Sequence, residues 1–115
     1  MFFELQQERR QLEQQLMNEV EKYQQSGCQL ARNESEYRKA LRIEILYARA
    51  NGTPVSIISD ICRGKPEIAD LKLARDSAEA VYNASKEAIQ VLKLRIRILD
   101  QEITREWNSG GFNEY

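Results

Sequence analysis

The sequence predicts an all-α fold: a long antiparallel helical hairpin, similar to a coiled coil, with a short helix between its two arms. Apolar residues recur at alternating steps of three and four residues along two long tracts. A turn-rich segment from Asn51 to Lys65 separates these tracts and lets the chain reverse direction. The distribution of charge then favours antiparallel over parallel arms.

Charge is unevenly distributed over the four quarters of the predicted hairpin. Residues 1–27 carry 3 basic and 5 acidic side chains, and residues 28–50 carry 5 and 3. Residues 66–85 carry 2 and 4, and residues 86–107 carry 5 and 4. In an antiparallel hairpin each net negative quarter faces a net positive one, whereas a parallel arrangement would place like charges together.

The first long helix is predicted over residues 2–50. Its apolar stripe contains Leu12, Leu16, Val20, Tyr23, Leu30, Tyr37, Leu41, Ile45 and Ala48. Two consecutive four-residue steps at its start disturb the heptad locally. Gly27 is a weak point because glycine costs about 1 kcal/mol relative to alanine inside a helix. A kink near residue 27, a close helix contact and a true break all remain open.

The connecting segment contains its own start and stop signals. Asn51-Gly52 predicts a left-handed end to the first helix, and Thr53-Pro54 predicts the start of a short helix over residues 54–62. Fifteen or so residues are more than a helix–helix connection needs, since about 2–8 are typical. The extra length indicates either a lid over the end of the hairpin or a surface that docks on a partner.

The two interpretations assign different roles to the sides of the short helix. Val55, Ile58 and Ile61 recur at helical spacing and are expected to point inward. The outward residues and the following lysine are the predicted partner-binding residues: Ser56, Ser59, Asp60, Arg63 and Lys65.

The last helix is predicted over residues 66–107, followed by a flexible tail over residues 108–115. Its apolar stripe contains Ile68, Leu71, Ala78, Tyr82, Ile89, Leu92, Ile96, Leu99 and Ile103. Residues 91–99 alternate like a β-strand, but the heptad passes through them in phase, which favours a helix. Val91, Leu94 and Ile98 then lie outside the stripe and predict an oligomer interface, most simply a dimer that forms a four-helix bundle. Trp107 and Phe112 are expected near Phe2 and Phe3.

The composition bears on the class of function. The net charge is −1, histidine is absent, and the two cysteines lie far apart in the sequence. At 115 residues the chain is expected to be a single domain. Because histidine, paired thiols and glycine-rich phosphate loops are missing, and the carboxylates sit beside Lys and Arg as on a solvated helix surface, we expect a protein that is not an enzyme and binds no cofactor or metal. The sequence also has no signal peptide and no apolar run long enough for a membrane span, so a cytoplasmic location without membrane contact is expected.

Basic residues provide a different interpretation. Five of them fall within an arc of about 60° on the last helix. They are Lys72, Arg75, Lys86, Lys93 and Arg97. Such a stripe could bind nucleic acid, or it could pair with acidic residues across the hairpin; Arg38, Arg42 and Arg49 form a similar stripe on the first helix. The pairing interpretation is favoured.

Several short motifs resemble small uncharacterised helical proteins of phages and prophages of Gram-positive bacteria. The motifs are Tyr37-Arg38, Gly52-Thr53-Pro54-Val55, Ile58-Ser59-Asp60, Arg63-Gly64, Glu67-Ile68-Ala69, Leu71-Lys72, Ala78-Glu79 and Arg105-Glu106-Trp107. The resemblance covers about two thirds of the chain and implies an accessory protein that contacts a host or phage protein, as a replication or recombination helper or as an inhibitor of host defence. An oligomer that holds a small anionic ligand between its subunits is a further alternative.

Overall fold

The computed structural model of the protein describes residues 1–111. Within that range the regular elements are all helical: α1 at Phe2–Ala50, α2 at Ile58–Arg63, α3 at Pro66–Glu106, and a π-helix at Trp107–Gly111. The predicted all-α hairpin with a short connecting helix is confirmed. The strand-like segment at residues 91–99 is part of α3, as its heptad phase predicted.

The contacts within the chain divide it into two compact units. Unit 1 contains Met1–Gln24 together with the chain from Ala84 onward, and unit 2 contains Gln25–Asn83. Each unit pairs a piece of α1 with a piece of α3, and α2 belongs to unit 2. The expectation that the whole chain folds as a single domain stays a prediction.

Pairing between the helices is antiparallel in both units and advances by heptads. In unit 1 Phe2 contacts Trp107 and Arg9 contacts Asp100, so one heptad forward on α1 matches one heptad backward on the other arm. In unit 2 Glu34 bonds to Arg75 and Glu44 bonds to Lys65, again with increasing numbers on α1 and decreasing numbers on its partner. The heptad pattern therefore determines which residues meet.

The cores of the two units contain the predicted apolar stripes. In unit 1 the residues Leu12, Leu92 and Leu99 form a buried cluster, against which Leu5, Leu16, Ile96 and Ile103 pack. In unit 2 the buried apolar residues include Tyr37, Ile58, Cys62 and Ile68. Apolar contact between the arms is thus the main source of stability in each unit.

Several positions of the seam, the contact face between α1 and α3, are occupied by polar residues. The apolar periodicity did not predict them. Ser26 and Ser85 are buried, and Arg75 is half-buried at the seam position between Leu71 and Ala78. Each occupies a step where the apolar pattern jumped a full heptad instead of three or four residues. These jumps were the signal that a polar residue fills the seam.

The end of α1 has the predicted left-handed conformation. Gly52 has φ of 85°, the N–H of Thr53 donates to the carbonyl of Ala48 at 3.0 Å, and the N–H of Gly52 donates to that of Arg49 at 3.1 Å. This pair of hydrogen bonds is a Schellman motif, which satisfies carbonyl groups that would otherwise lack partners.

The connecting helix is shorter than predicted. It begins at Ile58 and not at Pro54, because residues 54–57 form a turn in which the N–H of Ile57 donates to the carbonyl of Pro54 at 3.2 Å. Val55, Ser56 and Ile57 have low helix propensities, and Ile57 at the N-cap makes no side-chain cap. The prediction of a helix over 54–62 is therefore wrong at its start.

The end of α3 also differs from the prediction. Backbone of helical type continues beyond Glu106 as the π-helix, so residues 108–111 are not part of an irregular tail, and the hydroxyl of Ser109 donates to the carbonyl of Glu106 at 2.9 Å. The rings of Phe2 and Trp107 are 5.5 Å apart, which confirms that expected contact. Phe3 instead is exposed, because it lies about 100° around α1 from Phe2. Phe112 lies outside the described residues.

Candidate interaction surfaces

The hairpin tip exposes some apolar side chains and buries others, and we call the buried pair Ile58 and Cys62 its anchor. Ile58 and Cys62, one turn apart on α2, are both buried within unit 2. Val55, Ile57 and Ile61 are 75%, 45% and 54% exposed. We call these three residues the tip surface. Three neighbouring exposed apolar side chains on one short segment make a candidate contact surface.

The prediction that Val55 and Ile61 point inward with Ile58 is wrong. Val55 precedes α2, so the helical spacing used for it does not apply. At about 100° per residue, Ile58 and Cys62 define the inner side of α2, while Ile57 and Ile61 lie together on one flank. The lid interpretation required these side chains to be covered, whereas the structure leaves them open.

The polar residues predicted to bind a partner differ in exposure and in whether they already have a partner within the chain. Ser56, Asp60 and Arg63 are exposed, and Ser59 is half-buried. The ammonium group of Lys65 donates to Oε2 of Glu44 at 2.9 Å, which raises the pKa of Lys65 above its ordinary value. Lys65 therefore joins the start of α3 to α1 and is less available to a partner than the other four.

Arg75 is the centre of a charged cluster in unit 2. Its guanidinium donates to Glu34 at 2.9 Å and to Asp76 at 2.8 and 3.0 Å, and it lies 5.2 Å from the ring centroid of Tyr37. These carboxylates, Asp76 foremost, raise the pKa of Arg75. Because its donors already have partners, Arg75 is poorly suited to a phosphate.

The other basic residues of the predicted nucleic-acid stripe differ in whether they form ion pairs. Lys72 donates to Asp76 at 2.8 Å within α3. Lys86, Lys93 and Arg97 are exposed and have no ion pair within residues 1–111. Pairing across the hairpin, the favoured interpretation, holds for Arg75 and not for these three. On α1, Arg38 pairs with Glu34 of its own helix at 2.5 Å.

An open groove in unit 2 has a volume of about 480 Å³ and lies beside the charged cluster. Its lining includes Leu30, Tyr82, Glu34 and Glu79, with Arg75 as the basic member. Since Arg75 is already bound to carboxylates, the groove offers an anionic ligand little attraction in a single chain. The alternative of a ligand held between subunits stays a prediction.

The residues predicted to form an oligomer interface are exposed. Val91, Leu94 and Ile98 lie on the surface of α3 in unit 1, while Leu92 and Leu99 beside them are buried. The oligomer interface stays a prediction, and these exposed side chains are the surface that it would cover.

The part of the chain that the structure describes contains neither a membrane-spanning helix nor a metal site. No helix there is both long and apolar enough to cross a membrane. No group of three or more His, Cys, Asp or Glu side chains within residues 1–111 is arranged to hold a metal ion. Comparison with known proteins finds no matching family model, no matching curated protein and no matching solved structure.

Proposed function

We propose that the chain is a non-enzymatic interaction protein that binds another protein through the tip surface. The exposure of Val55, Ile57 and Ile61 around a buried anchor is the observation that carries this proposal. A connector that served only to reverse the chain would gain nothing from three exposed apolar side chains, because each one loses favourable burial.

The geometry around the tip supports a preformed surface. The Schellman motif fixes the entry to the segment, and Ile58 and Cys62 fix α2 against the rest of unit 2. At the exit, the ion pair between Lys65 and Glu44 connects the chain to α1. A surface that is already ordered loses less conformational entropy when it binds.

Polar side chains beside the tip surface would determine which partner fits. Asp60 points away from the buried side of α2, and Arg63 lies on the flank opposite Ile57 and Ile61, taking about 100° per residue. An apolar centre beside one acidic and one basic group is the usual arrangement of a small protein–protein contact. We propose Asp60 and Arg63, with Ser56 and Ser59, as the specificity residues.

The resemblance described above supports a proposal about context. A cytoplasmic accessory protein of a phage or prophage would have its partner in the replication or recombination machinery, or in a defence system of the host. Both classes are consistent with binding through a small apolar tip.

Affinity capture by the full chain tests the proposal. Lysate of an infected or prophage-carrying Gram-positive host is passed over the immobilised protein and over the Ile57→Ser/Ile61→Ser variant, and the retained proteins are identified by mass spectrometry. We expect at least one protein to be retained by the original chain and lost by the variant, because two exposed apolar contacts are removed.

The matched control is Ile43→Ser/Leu46→Ser, which removes two exposed apolar residues of α1 in the same unit. Both variants should melt within a few degrees of the original chain, since exposed substitutions change stability by about 0.5 kcal/mol or less. If the tip variant retains the same proteins as the original chain and as the control, the tip is not the binding surface.

A further inference from the structure

Three basic side chains form a straight row along one flank of α3 in unit 1. Lys86, Lys93 and Arg97 lie within an arc of about 40° and extend over about 16 Å of the helix. All three are exposed, and none forms an ion pair within residues 1–111. We call these three residues the basic row. The pairing across the hairpin that the sequence favoured therefore leaves their charges unneutralised.

The carboxylates on this flank of unit 1 are already bonded to another arginine. Asp100 lies about 40° around α3 from the centre of the basic row and accepts hydrogen bonds from Arg9 of α1. Glu13 of α1 pairs with the same guanidinium. The remaining carboxylates of α3 in unit 1 lie about 100° or more from the row: Glu87, Glu102 and Glu106. The basic row and Arg9 therefore outnumber the acidic groups on this flank.

This flank of α3 is polar as well as basic. Within about 40° of the centre of the basic row, α3 in unit 1 adds Gln90, Asp100 and Thr104 and no apolar residue. The exposed apolar residues of α3 in this unit are centred about 110° away, at Val91, Leu94 and Ile98. Contacts between proteins usually have an apolar or aromatic centre in which lysine is depleted. A surface of Lys, Arg and Gln without an apolar centre is more typical of a contact with phosphates.

The basic character is confined to this flank and to this stretch of α3. On the other flank of unit 1, a groove is lined by charges of both signs together with apolar side chains, among them Glu8, Arg95, Ile98 and Glu102. The residue one heptad before Lys86 is Glu79, which belongs to unit 2. The basic row is therefore a narrow positive strip over residues 86–97.

We propose that the basic row binds the phosphate backbone of double-stranded DNA without reading its sequence. The two strands together carry one charge for every ~1.7 Å of the duplex axis, so a straight row about 16 Å long meets phosphates along its whole length. The amide of Gln90, between Lys86 and Lys93, donates a further hydrogen bond to a phosphate oxygen. Such contacts position a protein on DNA but do not distinguish the bases.

Other polyanions match the basic row less well. Single strands are usually held by aromatic side chains that stack on the bases, and this flank of α3 in unit 1 has none. Anionic lipid surfaces are usually recognised by clusters of about 4–8 basic residues, or by a helix whose apolar face enters the membrane. The basic row is smaller than such a cluster, and the exposed apolar residues of α3 face a different direction.

The test measures the binding of the full chain, at up to about 100 µM, to a fluorescently labelled DNA duplex of about 20 base pairs by anisotropy. Counterion release from three phosphate contacts should raise the dissociation constant about 40-fold between about 50 and about 200 mM salt. Two duplexes of unrelated sequence should bind within about 2-fold of each other. No binding at about 50 mM salt, or an affinity that does not respond to salt, overturns the proposal.

Neutralising the basic row should remove this binding. The variant Lys86→Gln/Lys93→Gln/Arg97→Gln should bind the duplex at least about 10-fold more weakly at about 50 mM salt, because counterion release scales with the number of phosphate contacts. Any remaining binding should depend little on salt. Circular dichroism should show an unchanged helix content, since the three side chains are exposed. A folded variant that binds like the original chain overturns the proposal.

The matched control removes the same amount of charge elsewhere. Arg10→Gln/Lys22→Gln/Arg32→Gln neutralises three exposed basic residues of α1 that form no ion pair within the described range 1–111. This control should bind the duplex within about 3-fold of the original chain and with the same salt dependence. Equal losses in the two triple variants would mean that DNA responds to the overall charge of the chain, and they would overturn the proposal.

Three further probes identify a different occupant, each compared with the duplex under the same conditions. A poly-glutamate peptide that binds as tightly as the duplex, and loses binding in Lys86→Gln/Lys93→Gln/Arg97→Gln, would assign the basic row to an acidic protein. A single strand of the same sequence that binds more tightly would assign it to single-stranded nucleic acid. Vesicles of phosphatidylcholine and phosphatidylserine in equal parts that bind more tightly would assign it to a membrane. Any of these results overturns the proposal, and none bears on the tip surface.

Discussion

The ring of Tyr82 lies against the backbone of α1 at Gly27, where an added Cβ atom would be 3.2 Å from Cε1 of the ring. α1 continues through Gly27 without a break, so the break considered from the sequence does not occur. A larger side chain at this position would press on Tyr82, which explains why the least helix-favouring residue other than proline stands in the middle of a long helix.

This contact predicts a result that depends on position 82. In a Tyr82→Ala background, Gly27→Ala should stabilise the protein by about 1 kcal/mol, the full gain in helix propensity. In the original chain the same substitution should gain less than about 0.5 kcal/mol, because the ring must move by a few tenths of an ångström. Urea unfolding of the four proteins gives the coupling between the two sites. A coupling of zero would show that the ring moves freely.

Replacing Ser85 with alanine should stabilise the protein. The residue is 2% exposed, and its hydroxyl has no hydrogen-bond partner among the described residues. Removing a buried, unsatisfied polar group and gaining helix propensity should together add about 1–2 kcal/mol to the free energy of unfolding. Ser77→Ala on the exposed side of α3 is the control and should gain about 0.5 kcal/mol or less. A loss of stability in Ser85→Ala would mean that the hydroxyl has a partner in solution.

The two apolar stripes of α3 should respond differently to the same substitution. Leu99→Ala removes a buried side chain from the core of unit 1 and should cost about 2–4 kcal/mol. Leu94→Ala removes a half-exposed side chain from the group that α3 exposes away from the core, Val91, Leu94 and Ile98, and should cost less than about 1 kcal/mol in a monomer. Thermal or urea unfolding measured at low protein concentration checks both values. Similar costs at the two sites would indicate that Leu94 is covered in solution.

The charged cluster around Arg75 should make stability depend on pH in the acid range. Hydrogen bonds from Arg38 and then Arg75 lower the pKa of Glu34, and those from Lys72 and then Arg75 lower the pKa of Asp76. Because the unfolded chain binds more protons at these groups, their contribution is complete above their unfolded pKa values, 4.5 and 3.8, and is lost as pH falls through the lower folded values. Melting temperature should therefore fall on acidification from about pH 5.

The variant Glu34→Gln/Asp76→Asn separates this effect from that of the other carboxylates. It should have a lower melting temperature at neutral pH and a smaller decrease between about pH 5 and about pH 2. Melts followed by circular dichroism at several pH values provide the comparison. Parallel curves for the two proteins would mean that the cluster does not contribute to the acid response.

The sequence predicted the architecture because heptads are a strong, repeated signal. It did not predict the polar seam residues Ser26, Arg75 and Ser85, since a search for apolar periodicity leaves such positions blank. The charge pattern indicated the correct antiparallel direction but not the actual pairs. Arg9, for example, is a basic residue in an acidic quarter, and it bonds to Asp100 at 2.5 Å in a quarter with net positive charge.

The tip was predicted less well than the helices. Its helix begins four residues later than the proline signal suggested, so Val55 lies outside it, and its buried side is formed by Ile58 and Cys62 and not by Ile58 and Ile61. Propensities near a turn locate the start of a helix only to within a few residues, and apolar residues three apart do not by themselves determine the centre of the buried side. The exposure of Ile57 and Ile61 therefore needed the structure.

The matched heptads in each unit restrict how such a chain can change length during evolution. A single residue inserted into α1 after Arg9 would rotate every later position of that helix by about 100° relative to α3. Apolar side chains of the seam would then turn toward water. Loss or gain of seven residues in one arm preserves the facing but leaves partners such as Glu34 and Arg75 a heptad out of step. Seven residues removed from both arms at the same level preserve every remaining pair. Relatives of different length are therefore expected to differ by such paired heptads, and single-residue insertions should occur in the connecting segment or at the chain ends.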